Sequence, residues 1–157
     1  MDQFSTLSVF LATFGGLSYW LAALVLGVFF YILVKKFSKS SYEKLIIFTV
    51  AVVLAVVVSE QAAMVIGSTD PSQIVLDEFV AVPFIYLGYK TAKSRNKYAF
   101  ISIGALLFGL LDWMKPFGID GLGNLPGGIG IVADDIGAAL LAAIILYLLQ
   151  RVTNNRI

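Results

Sequence analysis

Cysteine and histidine are both missing from this chain. Without cysteine there is no disulfide framework, no thiol nucleophile and no thiolate metal site. Without histidine there is no imidazole base, no phosphohistidine chemistry and no usual zinc ligand. Charge is scarce too: Asp, Glu, Lys and Arg make up 13% of the 157 residues, against about 25% in a soluble globular domain. Whatever chemistry the chain performs must run on carboxylates, Lys, Ser, Thr or Tyr, with a hard metal ion as the natural companion.

What the chain has in quantity is hydrocarbon. Hydrophobic residues make up 59% of it and its mean hydropathy is +0.91. Several runs approach or exceed the roughly 20 apolar residues needed to cross a bilayer core. The fold expected is all-α: a polytopic transmembrane bundle of about five membrane segments, with residues 1–157 as one integral membrane domain and no separate soluble part. The segments are residues 7–34, 45–66, 74–89, 98–114 and 128–149. The first is longer than a straight crossing needs. Its stretch Phe14-Gly15-Gly16-Leu17-Ser18-Tyr19-Trp20 leaves two readings. Either the weak helix propensity of the Gly pair breaks the segment or makes it re-entrant, or one long tilted helix carries an aromatic anchor. No cleavage-site pattern follows, so the segment is expected to be retained. Asp70-Pro71 sits in a turn-forming linker, and Pro83 is expected to kink the third segment.

The last segment carries the anomaly. Gly127-Gly128-Ile129-Gly130-Ile131-Val132-Ala133-Asp134-Asp135-Ile136-Gly137 opens an otherwise apolar run. Each carboxylate inside a membrane segment costs roughly 2.5–3.5 kcal/mol on insertion scales. Five spans would put residues 35–44, 90–97 and the C-terminal tail on one face, and with them every basic residue except Lys115. The opposite end gathers every acid except Asp2 and Glu43. Asp77, Glu78, Asp112, Asp134 and Asp135 reach that end from three different segments. Convergent around a divalent cation, they become a metal site, and all-oxygen ligands favour Mg²⁺ over Mn²⁺ or Ca²⁺.

Each of these residues also has a plainer reading. Asp77-Glu78 in a first helical turn suits the macrodipole. Asp112 and Lys115, at i and i+3, suit a local ion pair closing a helix before Pro116. Glu60 either snorkels or bonds to a neighbouring helix, or joins the site. Gly127, Gly128 and Gly130 either let a substrate headgroup approach the backbone at a helix N-terminus or serve close helix packing. Lys115 tilts the balance. A cluster that only passes cations gains nothing from a lysine at its edge, whereas one that holds metal and phosphate together uses it as a point-charge phosphate binder. The residues thus describe a metal-dependent phosphate-ester site at the membrane boundary.

Three blocks then acquire a family likeness. Ile74-Val75-Leu76-Asp77-Glu78-Phe79-Val80, Leu111-Asp112-Trp113-Met114-Lys115-Pro116-Phe117-Gly118-Ile119 and Gly127-Gly128-Ile129-Gly130-Ile131-Val132-Ala133-Asp134-Asp135 resemble the motifs of phosphatidylglycerophosphatase A, in the family's order and at similar spacing. The resemblance covers roughly residues 50–149, and Asp70-Pro71 also fits it. It implies an integral membrane lipid phosphatase, dependent on Mg²⁺, that removes the terminal phosphate of phosphatidylglycerophosphate to give phosphatidylglycerol. It implies that Asp77, Glu78, Asp112, Asp134 and Asp135 are the essential acids and that Lys115 lies in the site. The partners implied are an anionic lipid phosphate and the membrane, with no nucleic acid, and the location is a prokaryotic cytoplasmic membrane.

The chain also departs from the family pattern. A Pro-Gly-Thr-x-Gly-Ser type segment near the N-terminus is replaced by the Phe14–Trp20 stretch. A basic residue three places before the second block's aspartate is Gly109 here, and the aromatic before the first acid pair is Leu76. If those elements grip phosphate, their loss alters the substrate or weakens turnover. Sidedness is contested as well: the implied substrate is made on the cytoplasmic leaflet, while the positive-inside rule puts the two basic loops in the cytoplasm, opposite the acids. Two other classes stay open on the residues, a small cation transporter or channel component and an inactive lipid-binding relative. The attacking group is either water or an aspartate.

Overall fold

The structure, a computed structural model, describes residues 3–17, 19–87 and 97–154. Ser18 and the basic residues Lys90, Lys93, Arg95 and Arg156 lie outside the described residues. Six helices follow in order: α1 (Gln3–Ala12), α2 (Trp20–Phe37), α3 (Ser41–Ile66), α4 (Leu76–Ile85), α5 (Lys97–Met114) and α6 (Gly128–Asn154). Short 3₁₀ segments occupy Phe14–Gly16 and Pro116–Asn124. The all-helical expectation holds among the described residues, with a helix in each of the five apolar runs.

The first segment is broken. After Ala12 the chain turns left-handed, with φ of 47°, 71° and 90° at Phe14, Gly15 and Gly16. The Thr13 hydroxyl closes the turn by accepting from the Gly16 N–H at 3.1 Å. The break is held against the start of α4: the Val75 N–H donates to the Ala12 carbonyl at 2.9 Å, and the Phe14 ring meets Phe79 edge-on at 5.5 Å. α3 is bounded more conventionally. Ser40 Oγ accepts from the Glu43 N–H at 3.1 Å, and the Glu43 carboxylate accepts from the Lys39 N–H at 2.6 Å, a reciprocal cap. Gly67, at φ 81°, ends the helix with its N–H on the Ala63 carbonyl.

α2, α3 and α6 are each long and apolar enough to cross a membrane, and α5 with its 3₁₀ continuation, bent by 67°, makes a fourth candidate. α1 and α4 are apolar, but at 10 residues each they rise only about 15 Å, half of a hydrocarbon core. α2 and α3 present Leu21, Val25, Phe29, Val50, Val53 and Val57 outward, the surface lipid requires. With the family-independent evidence of composition, this is an integral membrane protein.

Packing centres on α4, wrapped by α2, α3, α5 and α6. Ala138, Ala139 and Ala142 of α6 are fully buried in a core with Val82, Ile85, Phe108 and Leu146, and such small residues let membrane helices approach closely. Pro83, inside α4, donates no hydrogen bond to the Phe79 carbonyl four residues back. Gly27 of α2 lies against that carbonyl, where a Cβ would stand 2.9 Å from the oxygen. Tyr86 ties the other end of α4 to α5 by donating to the Ile101 carbonyl at 2.7 Å. As a result the last turns of α3 and α5 and the first turns of α4 and α6 share one end of the bundle. Lys35, Lys36, Lys44 and Arg151 mark the other.

α6 begins in close contact with α3. A Cβ on Gly128 would collide with the Val56 carbonyl oxygen, and backbone cannot yield as a side chain does. Gly128→Ala is expected to lower stability in detergent by about 2 kcal/mol or more. Gly121→Ala, at a position with nothing within 4 Å, is expected to leave the thermal midpoint unchanged. Parallel thermal unfolding of the two variants checks this.

Candidate active site

Three helices bring the acids together. Asp77 and Glu78 occupy the first turn of α4, where Val75 at the cap position offers no side-chain hydrogen bond and where the macrodipole favours negative charge. Asp112 stands in the last turn of α5, and Asp134 and Asp135 lie roughly two turns into α6. Asp77, Asp134 and Asp135 are buried, and Glu78 and Asp112 are half-buried.

The cluster divides into two parts. Asp77, Glu78 and Asp135 each offer a carboxylate oxygen within 4.8 Å of the others, a spacing that suits one cation. Asp112 stands within electrostatic reach of both Glu78 and Asp135. Asp134 is engaged elsewhere: its Oδ2 is paired with the Lys115 ammonium, and its Oδ1 accepts from the Asp135 N–H at 3.0 Å. Asp77 Oδ1 similarly accepts from the Glu78 N–H at 3.1 Å. Glu78 Oε2, Asp112 Oδ1 and Asp135 Oδ2 are buried with no hydrogen-bond partner among the described residues. Orphaned oxygens of that kind are costly in a low-dielectric interior. A hard divalent cation fits the donor set, which is entirely carboxylate.

The local i, i+3 pairing of Asp112 with Lys115 does not form. α5 stops at Met114, and Lys115 takes a left-handed conformation at φ 40°. That turn swings its side chain across to α6, and Pro116 then starts the 3₁₀ segment. The lysine is a bridge between two helices rather than a cap on one.

Against this geometry, a family profile described as Phosphatidylglycerophosphatase A matches residues 8–150. The chain belongs to the phosphatidylglycerophosphatase A family. It is 34% identical over 95 residues to "Phosphatidylglycerophosphatase A" of Escherichia coli (strain K12), a match covering 60% of this chain and 53% of that protein. It is 31% identical over 78 residues to "Putative phosphatidylinositol-3-phosphatase" of Bacteroides thetaiotaomicron, covering 49% of this chain and 47% of that one. The matched stretch spans about half the length of these curated relatives. No solved structure matches the chain.

Within the phosphatidylglycerophosphatase A blocks, the three glycines of the last motif have a packing explanation. Gly127, at φ 63°, lies where a Cβ would come 2.6 Å from Glu60 Oε1, Gly128 meets α3, and a Cβ on Gly130 would collide with the Leu125 carbonyl oxygen. Each faces protein atoms. Glu60 therefore sits against Gly127, at the edge of a separate cavity of about 580 Å³ shared with Ser68, Thr69 and Asn124, apart from the carboxylate trio.

Asp70, which the charge count put at the acid-rich end without a place in the site, is the further acid here. The linker after α3 folds back so that its carboxyl feels Asp134, Lys115 and Asp112. Partial burial, then the charge of Asp134 and of Asp112, raises its pKa above the ordinary carboxylate value, while Lys115 pulls it the other way. The charge count by side and the Asp70-Pro71 match ahead of the first block both pointed to this end, but neither says which way the linker turns.

Lys115→Met would leave the Asp134 charge buried and unpaired. It is expected to destabilise the protein by about 3 kcal/mol, and adding Asp134→Asn should recover most of the loss. A double-mutant cycle by thermal unfolding measures the coupling.

Proposed function

We propose that this chain is a lipid phosphate monoesterase that converts phosphatidylglycerophosphate to phosphatidylglycerol, with Mg²⁺ held by Asp77, Glu78 and Asp135 and with Asp112 beside them. The observation that carries this reading is the convergence of three carboxylate oxygens within 4.8 Å, with unpartnered buried oxygens on Glu78, Asp112 and Asp135. A cation transporter would use the same acids, but it has no need of a lysine locked to the cluster's edge by Asp134. The proposed location is a prokaryotic cytoplasmic membrane.

When bound, Mg²⁺ supplies positive charge to the phosphoryl oxygens. The chain supplies the rest. Asp134 fixes the Lys115 ammonium at the rim, where it offers a point charge to an incoming phosphate. Lys115 keeps about a third of its side chain exposed, 31%. In this reading Asp112, whose Oδ1 is buried with no hydrogen-bond partner among the described residues, takes a proton as a water oxygen bonds to phosphorus and gives it up to the leaving group. The ester P–O bond breaks, and the leaving alcohol oxygen is protonated in turn.

The two named relatives differ in headgroup, glycerophosphate in one and inositol 3-phosphate in the other. The chemistry common to them is a phosphate monoester on a glycerophospholipid headgroup. Phosphate release from vesicles of each lipid, with Mg²⁺ and with chelator, is the test. Release from phosphatidylglycerophosphate is expected to require Mg²⁺ and to fall roughly a hundredfold or more in Asp77→Asn and Asp135→Asn. Faster release from the inositol lipid would reassign the substrate. Parental rates in folded, membrane-inserted variants would remove the site assignment, and ion flux into sealed liposomes without phosphate release would favour the transporter.

A further inference from the structure

α2 and α5 touch only sparsely along their shared seam. Between them runs an apolar groove of about 550 Å³ lined by Trp20, Leu24, Leu106, Phe108, Gly109 and Trp113. Glu78 and Asp112 line the same groove, and both present a buried carboxylate oxygen with no hydrogen-bond partner among the described residues. Past Leu106 the seam continues into a second cavity of about 350 Å³ reaching Val28, Ile101 and Ala105, with Trp20 and Leu24 common to both. From Asp112 to Ile101 the seam follows α5 for roughly 16 Å at the helical rise. That is close to half of a hydrocarbon core about 30 Å thick, the depth of a single leaflet.

The groove opens sideways, since Trp20, Leu106 and Trp113 are exposed, so a ligand can arrive from within the bilayer. Gly109 lets the Trp20 ring close against α5 at the groove's wall: a Cβ there would stand 3.1 Å from the ring, and a larger side chain would displace Trp20 and intrude on the groove. Apolar walls of leaflet length that end at cation-seeking carboxylates match an amphiphile whose phosphate meets a bound cation while its hydrocarbon stays in the membrane.

We propose that the α2–α5 seam is an acyl-chain site, taking one hydrocarbon chain of a diacyl lipid phosphate so that the phosphate is delivered to Glu78 and Asp112 from the side. The proposal rests on the lipid phosphatase reading above, and it makes Gly109 and Trp20 determinants of which lipids are held.

The test uses the chain's own fluorophores, because its two tryptophans, Trp20 and Trp113, both line the groove. The full chain is placed in phosphatidylcholine vesicles with Mg²⁺. A low mole fraction of brominated-chain lipid is added, either a non-hydrolysable diacyl phosphonate or phosphatidylcholine with the same chains. The phosphonate is expected to quench tryptophan saturably and well beyond the equal fraction of brominated phosphatidylcholine. Gly109→Leu and Ala105→Leu, which fill the upper and lower parts of the seam, are each expected to raise the half-saturating fraction roughly tenfold. Equal quenching by the two lipids in the parental protein overturns the proposal. So does quenching that follows protein density instead of lipid phosphate, which would mark a second copy of the chain in the seam. Preferential quenching without phosphate release from the hydrolysable lipid keeps the acyl-chain site and removes the catalytic reading. Release without preferential quenching does the reverse.

Discussion

Five carboxylates held in an apolar bundle, with Lys115 paired at their edge, are the constraint that the other features answer. In water like charges at this range repel by only about 1 kcal/mol, but inside a membrane protein the low dielectric magnifies every unpaired charge. One acid is relieved from within: Asp134 takes Lys115 on one oxygen and the Asp135 N–H on the other. Asp77, Glu78 and Asp135 crowd within 4.8 Å of one another, with Asp112 close by. A hard cation is a species that such an all-carboxylate oxygen set suits.

The backbone is arranged to make that crowding possible. α4 is too short to span a membrane by itself, which lets its N-terminal turn, with the acid pair, stop at the depth where α5 ends and α6 begins. The broken first segment holds that turn in place through the Val75–Ala12 hydrogen bond and the Phe14–Phe79 contact. Glycines then close the walls: Gly128 admits the α3 backbone, and Gly130 admits the returning loop at Leu125. The seam between α2 and α5 is the opposite case, where sparse packing beside the same acids leaves two adjoining apolar cavities.

Much of this was legible in the residues because membrane helices announce themselves by run length. The apolar stretches 98–114 and 128–149 become α5 and α6 almost without adjustment, and the chemistry of the acids followed from the absence of histidine and cysteine. The break at Gly15-Gly16 was one of two open readings; the left-handed backbone there decides it. What could not be read were relations between residues far apart in sequence. Lys115 looked like the partner of Asp112 because a continuing helix would put them on one face, and a single residue at φ 40° sends it to Asp134 instead. Asp70 joins the cluster only because the linker folds back, and Gly109 matters only because Trp20 of another helix faces it.

Cation binding at the carboxylate trio can be measured without any substrate. The purified chain in detergent is unfolded thermally while Mg²⁺ is titrated. A cation that binds the folded site and not the unfolded chain raises the midpoint with concentration, and Asp77→Asn or Asp135→Asn should abolish the rise while leaving the metal-free protein folded. A midpoint that stays fixed across Mg²⁺, Mn²⁺ and Ca²⁺, or that rises equally in those variants, would contradict a cation site at these carboxylates.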